Sequence, residues 1–321
     1  MRKFLKSLLG VMVLGIGSSW ALAATADEVK TIGVSFPHAG QPIVDRLLTF
    51  AKVKGEGMGL EVIVDDPGDD LTRQIGTIET WIDGGAVDVV VAVVPNSPEV
   101  FNAMAKRARE AGIPWITYAA SISNESAFLT WRHEKGGYML GEEASKWINA
   151  RPGGKAKVAI LGFEQGQWAR DRRKGIERGL ADHAPGAEIV AQQDALQPSV
   201  GASVTGSILQ AHPDLNAVLA IVPGGGEGAY QAFLNAGHAM DDPDVFIGDV
   251  DGSARSLTLI SEGTMYRAAS TLDLQKIGEA IPELAADLIP DDEAEDMVIP
   301  YVMIRSGEAE KARPYIEQWN Q

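Results

Sequence analysis

The chain has 321 residues, of which 45% are apolar, enough to bury one large core or two medium ones. Its formal net charge of −16, from 44 Asp and Glu against 28 Lys and Arg, argues against nucleic acid and anionic membrane surfaces as partners. There is no Cys, which excludes disulfides, thiolate metal sites and a lipidated cysteine anchor.

The first residues have the organisation of a secretory signal peptide. A basic start, MRKFLK, precedes the apolar stretch SLLGVMVLGIGSSW, which is short for a membrane span. The small residues ALA at 21–23 suit signal peptidase, and ATA at 24–26 is a second candidate site. We expect residues 1–23 to be removed and the mature chain to be exported to the periplasm. Loss of the three cations in that segment would take the charge from −16 to −19.

Apolar strands alternate with helical patterns through the first half of the chain. The predicted strands are KTIGVSF (30–36), LEVIVDD (60–66), VDVVVAVV (87–94) and IPWITYAA (113–120). Between the second and third, Leu71, Ile75, Ile78 and Ile82 form one helical stripe that ends at a Gly pair. The β-branched run at 87–94 is typical of a strand buried on both faces. Such a β-α-β-α series predicts a parallel sheet with right-handed crossovers.

The same alternation then begins again. The predicted strands of the second half are AFLTW (127–131), KAKVAILGF (155–163), AEIVAQQ (187–193), LNAVLAIV (215–222) and DVFIGDV (244–250). No linker rich in Pro, Gly or Ser separates the two halves. The pattern therefore predicts an α/β fold of two doubly wound lobes. A ligand of such sheets binds beyond the carboxyl ends of the strands.

Several segments carry a resemblance to a known family. TIGVSFPHAGQPIVDRL, VVVAVVPNSPEVFNAMAKRAREAGIPWIT, ARDRRKGIERGL, AHPDLNAVLAI and IGDVDG, in this order, resemble the ribose- and galactose-type (type I) periplasmic binding proteins of ABC importers. The resemblance implies three crossovers between the lobes, near residues 131–133, 272 and 301. One lobe would comprise residues 24–131 plus 273–301, and the other 132–272 plus 302–321. The crossovers would act as a hinge for closure over a ligand.

The resemblance also implies two charged ligand contacts. The first Arg of the basic run ARDRRKG, Arg170, would donate its guanidinium to ligand hydroxyls. Arg172, Arg173 and Lys174 are then expected on a solvated face. Asp251, in GDVDGS, would accept hydrogen bonds from a polyol. Its alternative role is to cap the helix expected to begin at Ser253, and both roles can hold at once.

Aromatic side chains near strand ends and loops are further candidates, because the C–H faces of sugars pack on aromatic rings. Trp168 lies two residues before the first Arg of the basic run, and Trp131, Phe36 and Tyr118 lie at strand ends. Packing within the core is the alternative for any Trp, and we expect it for the two Trp residues on helical stripes, at positions 81 and 147.

This sequence departs from the ribose-type members at their polar anchors. Ala119 and Ala120 replace an Asp-Arg pair, Val222 and Pro223 replace Asn-Asp, and the paired aromatics correspond to residues 43 and 44, Ile and Val. A site without those anchors cannot recognise a pyranose in the family's usual way. The polar residues placed to compensate are His38, Gln41, Asn96, Glu164, Gln167, Glu227 and Asp273.

No catalytic or metal-binding pattern accompanies these candidates. PGGGEG lacks the Lys and Ser/Thr of a phosphate-binding loop, the His residues lack ligand spacing, and no nucleophile elbow is present. We expect no cofactor, no metal and no enzymatic activity. The expected function is capture of a sugar, sugar alcohol or sugar acid by a monomer that delivers it to an ABC permease. A periplasmic sensor subunit that signals to a histidine kinase or chemoreceptor is the alternative.

Overall fold

Two six-stranded sheets, each covered by helices, organise the chain. The computed structural model describes residues 30–37, 39–40, 42–68, 70–94, 98–290 and 292–319. The expected signal segment, residues 1–23, lies outside the described residues. In the described part of the chain, no helix combines the length and the apolar character that crossing a membrane requires.

The first sheet contains the strands of the first half and one late strand. Its members are β1 (Lys30–Ser35), β2 (Leu60–Asp65), β3 (Val89–Val93), β4 (Trp115–Tyr118), β5 (Ala127–Thr130) and β11 (Met297–Val298). The spatial order is β11-β5-β4-β3-β1-β2, with every pair parallel. The central strand β3 is VVVAV and almost fully buried, as its β-branched run predicts.

The second sheet repeats this arrangement. Its members are β6 (Ala156–Gly162), β7 (Ala187–Asp194), β8 (Leu215–Ala220), β9 (Phe246–Asp251), β10 (Tyr266–Thr271) and β12 (Val302–Arg305). The order is β12-β10-β9-β8-β6-β7, and only the edge strand β12 is antiparallel to its neighbour. The predicted fold class, two doubly wound parallel-sheet lobes, is therefore confirmed.

Ten α-helices connect and cover the strands in the described part of the chain. They are α1 (Pro42–Gly57), α2 (Leu71–Gly84), α3 (Pro98–Glu110), α4 (His133–Ala150), α5 (Gln167–His183), α6 (Pro198–Ala211), α7 (Pro223–Asn235), α8 (Ala254–Ser261), α9 (Leu274–Leu288) and α10 (Ala309–Glu317). The chain leaves the first sheet after β5, returns to it after β10, and leaves it again after β11.

Helices α4 and α5 approach each other through a glycine seam, which comprises Gly137 and Gly141 on α4 and Gly175 and Gly179 on α5. A Cβ atom at any of these positions would overlap backbone of the opposite helix. At Gly137, for example, it would overlap the carbonyl oxygen of Arg172. The absence of side chains along the seam lets the two backbones touch, and this contact sets where the first turns of α5 lie.

Candidate functional site

A cavity of ≈ 260 Å³ lies where the carboxyl ends of strands from both sheets face each other. We call it the interlobe cavity. Its lining residues from the first sheet and the helices beside it are Phe36, Pro37, Ile43, Val44, Leu47, Val93, Tyr118, Trp131, Leu274 and Ile277. The others are Asp251 at the end of β9, Gly252 after it, Leu272 after β10, and Trp319. This is the edge at which ligands of doubly wound sheets bind.

A row of aromatic rings runs from the first sheet to the start of α5. Successive ring centroids are 4.5 Å apart for Phe36 and Tyr118, and 5.3 Å for Tyr118 and Trp131. The row continues to His133 at 5.8 Å and from there to Trp168 at 6.3 Å. Three of the four predicted aromatic residues thus line the interlobe cavity together. The fourth, Trp168, lies outside the lining and stacks on the guanidinium of Arg172 at 5.1 Å.

Arg172 forms a bidentate ion pair with Asp251. Its Nη1 and Nη2 donate to the two carboxylate oxygens of Asp251 at 2.6 and 2.8 Å. The guanidinium also donates to the Ile221 carbonyl (2.9 Å), the Tyr301 hydroxyl (3.2 Å) and Nδ1 of His133 (3.3 Å). A guanidinium has five N–H groups, so all of them are used within the protein.

The expectation that Arg172 lies on a solvated face is wrong. Its relative exposure is 3%, because it belongs to the buried stripe of α5 with Ala169 and Ile176. Arg170 lies two positions earlier, about 200° around the helix. It donates instead to the Glu164 carbonyl and to Oε1 of Gln167, and it is not part of the cavity lining.

The two following cations behave differently from each other. Arg173 is half-buried rather than solvated, and it pairs with Glu164 at 2.7 Å and donates to Gln192 at 3.0 Å. Lys174 is exposed, as expected. The basic run is therefore tolerated because its members point to different surroundings around one helix.

Asp251 lies at a strained strand end. Its φ is +88°, in the left-handed region that a residue other than Gly seldom adopts, and Ala119 at the end of β4 has φ +65°. The alternative role of Asp251 as a helix cap is wrong. The N-cap of α8 is Ser253, whose hydroxyl accepts from the Ser256 amide in a capping box.

The buried groups around the pair have displaced pKa values. Burial and the charge of Arg172 lower the pKa of His133 to about 3, and the Ala119 carbonyl offsets this only in part, so the imidazole is neutral. Burial and the Asp251 carboxylate raise the pKa of Tyr118, so its hydroxyl stays protonated. In β9, two residues before Asp251, burial raises the pKa of Asp249 to about 7.

The remaining predicted polar residues lie elsewhere. Glu164 and Gln167 are exposed at the start of α5. Glu227 accepts from the Ser253 hydroxyl at 2.6 Å, and Asp273 is the N-cap of α9, where it accepts from Gln318 at 3.0 Å. None of these four lines the interlobe cavity. His38, Gln41 and Asn96 lie outside the described residues.

Sequence reasoning missed Arg172, His133, Tyr301 and the C-terminal Trp319. For Arg172 a signal was present, because Ala169, Arg172 and Ile176 repeat at helical spacing on the buried face. Across the described residues, no group of three or more His, Cys, Asp or Glu side chains is placed to hold a metal ion.

Comparisons with known proteins show which chains this one is similar to. Residues 32–293 match the sequence profile described as the periplasmic binding protein domain. The ABC transporter periplasmic-binding protein YphF of Escherichia coli is 27% identical over 246 residues, 74% of each chain. The ribose import binding protein RbsB of Bacillus subtilis is 26% identical over 276 residues, 84% of this chain and 86% of that protein.

Solved structures share the fold. A periplasmic solute-binding protein from Actinobacillus succinogenes, with bound D-allose, superposes with a TM-score of 0.77 at 21% identity, over 88% of this chain and 99% of that one. A solute-binding protein from Bacillus halodurans, with bound myo-inositol, gives a TM-score of 0.76 at 23% identity, over 92% and 100%.

Proposed function

Because this chain belongs to the periplasmic binding protein domain family, which consists of solute-binding proteins and not enzymes, we propose that it captures a small polyhydroxylated solute in the interlobe cavity and delivers it to an ABC permease. The proposal includes export to the periplasm after loss of the signal segment. No chemical step is involved, because the protein's task is to enclose the solute and release it at the membrane partner.

One observation carries the proposal: Asp251 presents a carboxylate to the interlobe cavity beside Tyr118 and Trp131. A carboxylate accepts hydrogen bonds from hydroxyl groups, and aromatic rings pack against C–H faces. Sugars and alditols present both kinds of surface. The bidentate contact with Arg172 keeps the two carboxylate oxygens in fixed positions, and each oxygen retains further capacity to accept from a ligand.

The known relatives support the same class of solute. The relative from Bacillus subtilis is named for ribose import, and the two structural neighbours hold D-allose and myo-inositol. These ligands differ in ring type and stereochemistry, so they support a hydroxyl-rich solute as a class.

We also propose that closure uses the three passages between the sheets as a hinge. The lobes are assigned as residues 24–131 plus 273–301 and residues 132–272 plus 302–321. Trp131, Leu272 and Tyr301 lie at these passages and all three are buried. Rigid-body closure about short connections would bring Asp251 onto a solute that rests on the first lobe.

A thermal-shift screen of the mature protein against sugars, alditols and sugar acids tests the proposal, followed by calorimetry on each hit. A solute at 100 times its dissociation constant should add about 2.7 kcal/mol to the free energy of unfolding. Amino acids and quaternary amines serve as controls and should produce no shift. Stabilisation by a control class alone, with none by any polyhydroxylated solute, would refute the proposal.

A further inference from the structure

Asp251 is the one charged side chain among the described residues that line the interlobe cavity. Its carboxylate is close enough to Tyr118 to raise the pKa of that hydroxyl. Arg172 neutralises Asp251, and the N–H groups of its guanidinium are all bound within the protein. The surroundings of Asp251 therefore accept hydrogen bonds and carry no net charge, which suits hydroxyl donors and disfavours a carboxylate on the solute.

Most of the remaining lining among the described residues is an apolar wall. It comprises Ile43, Val44 and Leu47 of α1, Val93 at the end of β3, and Leu274 and Ile277 of α9. Ile43 is 37% exposed, an unusual value for so large an apolar side chain on an inner surface. Among the described residues, this wall offers a hydroxyl group no side-chain partner. A hydroxyl pressed against it would lose water without compensation.

The chain's C-terminal segment extends the wall. Gln318 is 6% exposed, and it accepts from the Leu274 amide at 2.9 Å and donates to Asp273 at 3.0 Å. These two bonds fasten the segment to the first turn of α9 and hold Trp319 in the cavity lining. The apolar surface is thus continuous from α1 through α9 to Trp319.

We propose that the solute is a neutral, partly deoxygenated polyol, such as a deoxy sugar, with its hydroxyl edge on Asp251 and its deoxygenated edge on the apolar wall. This inference rests on the proposed function and narrows its substrate class. A methyl or methylene group facing Val44 and Leu47 buries apolar surface, whereas a hydroxyl at the same place leaves a polar group unpaired. The cavity would therefore favour a solute that lacks a hydroxyl group at the position facing the apolar wall.

Calorimetry on matched pairs tests the inference. The pairs are L-rhamnose with L-mannose, L-fucose with L-galactose, and 2-deoxy-D-ribose with D-ribose. If the strongest hit of the solute screen lies outside these pairs, it is compared with its deoxygenated or hydroxylated analogue in the same way. In the pair that binds most tightly, we expect the deoxygenated member to bind at least about tenfold more tightly.

Calorimetry on a substitution in the apolar wall provides a second test. Val44→Thr replaces a methyl group by a hydroxyl of similar size. It should lower the affinity for the deoxygenated solute about fivefold or more, and it should reduce the ratio of affinities within that matched pair. Val53→Thr is the matched control, because Val53 is on the same helix, 65% exposed and outside the cavity lining. It should leave both affinities unchanged.

The outcomes separate this inference from the proposed function. Equal or tighter binding of the fully hydroxylated member, or preferred binding of a sugar acid, overturns the inference while a polyhydroxylated solute still binds in the cavity. Equal effects of Val44→Thr and Val53→Thr overturn it as well. Failure of every sugar, alditol and sugar acid to bind overturns both.

Discussion

Arg172 and Asp251 form an ion pair in which the guanidinium is buried, with every donor bonded, and the carboxylate is partly exposed. Burial alone would lower the pKa of Arg172, but the charge of Asp251 and the contact with Tyr301 raise it, so the side chain remains a cation. Removing Arg172 would leave the partly buried Asp251 carboxylate without its partner. The pair therefore sets both the position of the Asp251 carboxylate and a dependence of stability on Arg172.

Arg172→Ala should lower the free energy of unfolding by about 2 to 4 kcal/mol, since it removes a buried, fully hydrogen-bonded guanidinium and leaves the partly buried Asp251 carboxylate unpaired. Arg170→Ala is the matched control from the same turn of α5. Its side chain makes only local contacts at the surface, so the change should stay within about 0.5 kcal/mol. Urea denaturation at neutral pH gives both values. Equal losses in the two variants would contradict the assignment of Arg172 to the buried stripe.

Asp249 is a fully buried carboxyl two residues before Asp251, the strained end of β9. The Tyr266 hydroxyl donates to its Oδ2 at 2.5 Å and the Gly252 amide to its Oδ1 at 2.9 Å. Burial raises its pKa to about 7 and these hydrogen bonds only partly oppose the rise. In the unfolded chain the pKa is about 3.9. Between these values the folded state holds a proton that the unfolded state has lost, so stability falls as pH rises.

The free energy of unfolding of the wild type, minus that of Asp249→Asn, should fall as pH rises from about 4 to about 7. The slope should approach about 1.4 kcal/mol per pH unit, and the difference should be constant above about pH 8. His133 contributes with the opposite sign, because its lowered pKa favours folding as pH rises toward about 6.5, but it is present in both proteins. Urea midpoints from pH 5 to 8 measure the difference. A difference independent of pH would show that Asp249 is ionised throughout.

At the scale of elements, the glycine seam between α4 and α5 determines where Arg172 lies. The spacing of four on each helix, Gly137 with Gly141 and Gly175 with Gly179, places the glycines on one face of each helix. A side chain there would push the helices apart and shift the guanidinium from Asp251. Packing and site geometry therefore depend on the same four positions.

Gly175→Ala should destabilise the protein by about 2 kcal/mol or more, because its Cβ would overlap the Glu134 carbonyl oxygen and the Tyr138 amide. Gly206→Ala, in the interior of α6, is the control. Its Cβ would meet open space, so the helix propensity of Ala should stabilise the protein by up to about 1 kcal/mol. Thermal unfolding of both variants checks the opposite signs. Stabilisation by Gly175→Ala would show that the seam is looser than described.

The elements themselves follow from the sequence pattern more readily than the site does. The β-branched run at 87–94 predicts β3 because both faces of a central parallel strand are buried. The choice between Arg170 and Arg172 needs the phase of α5, which depends on where the helix begins and on the glycine seam. The apolar wall could not be predicted, since it combines α1, α9 and the C-terminus, which only tertiary packing brings together.

At the scale of the whole molecule, the two lobes contribute different kinds of side chain to the interlobe cavity. The second lobe contributes the Arg172–Asp251 pair, and the first contributes aromatic rings and the apolar wall. A solute in this cavity would touch both lobes, so its binding free energy would favour the closed arrangement over an open one. On the proposed function, the two-lobed fold would convert a contact at Asp251 into a change of shape that a membrane partner could sense.

The most direct test of this account is calorimetry on Asp251→Asn with the tightest-binding solute of the screen, alongside wild type and Asp214→Asn. The substitution at 251 keeps one oxygen for Arg172 but removes the charged acceptor from the cavity, so affinity should fall about 30- to 1000-fold. Asp214 has a side chain that is 65% exposed and lies outside the lining, so Asp214→Asn should change affinity less than about threefold. Wild-type affinity in Asp251→Asn, or an equal loss in both variants, would contradict the claim that Asp251 anchors the solute.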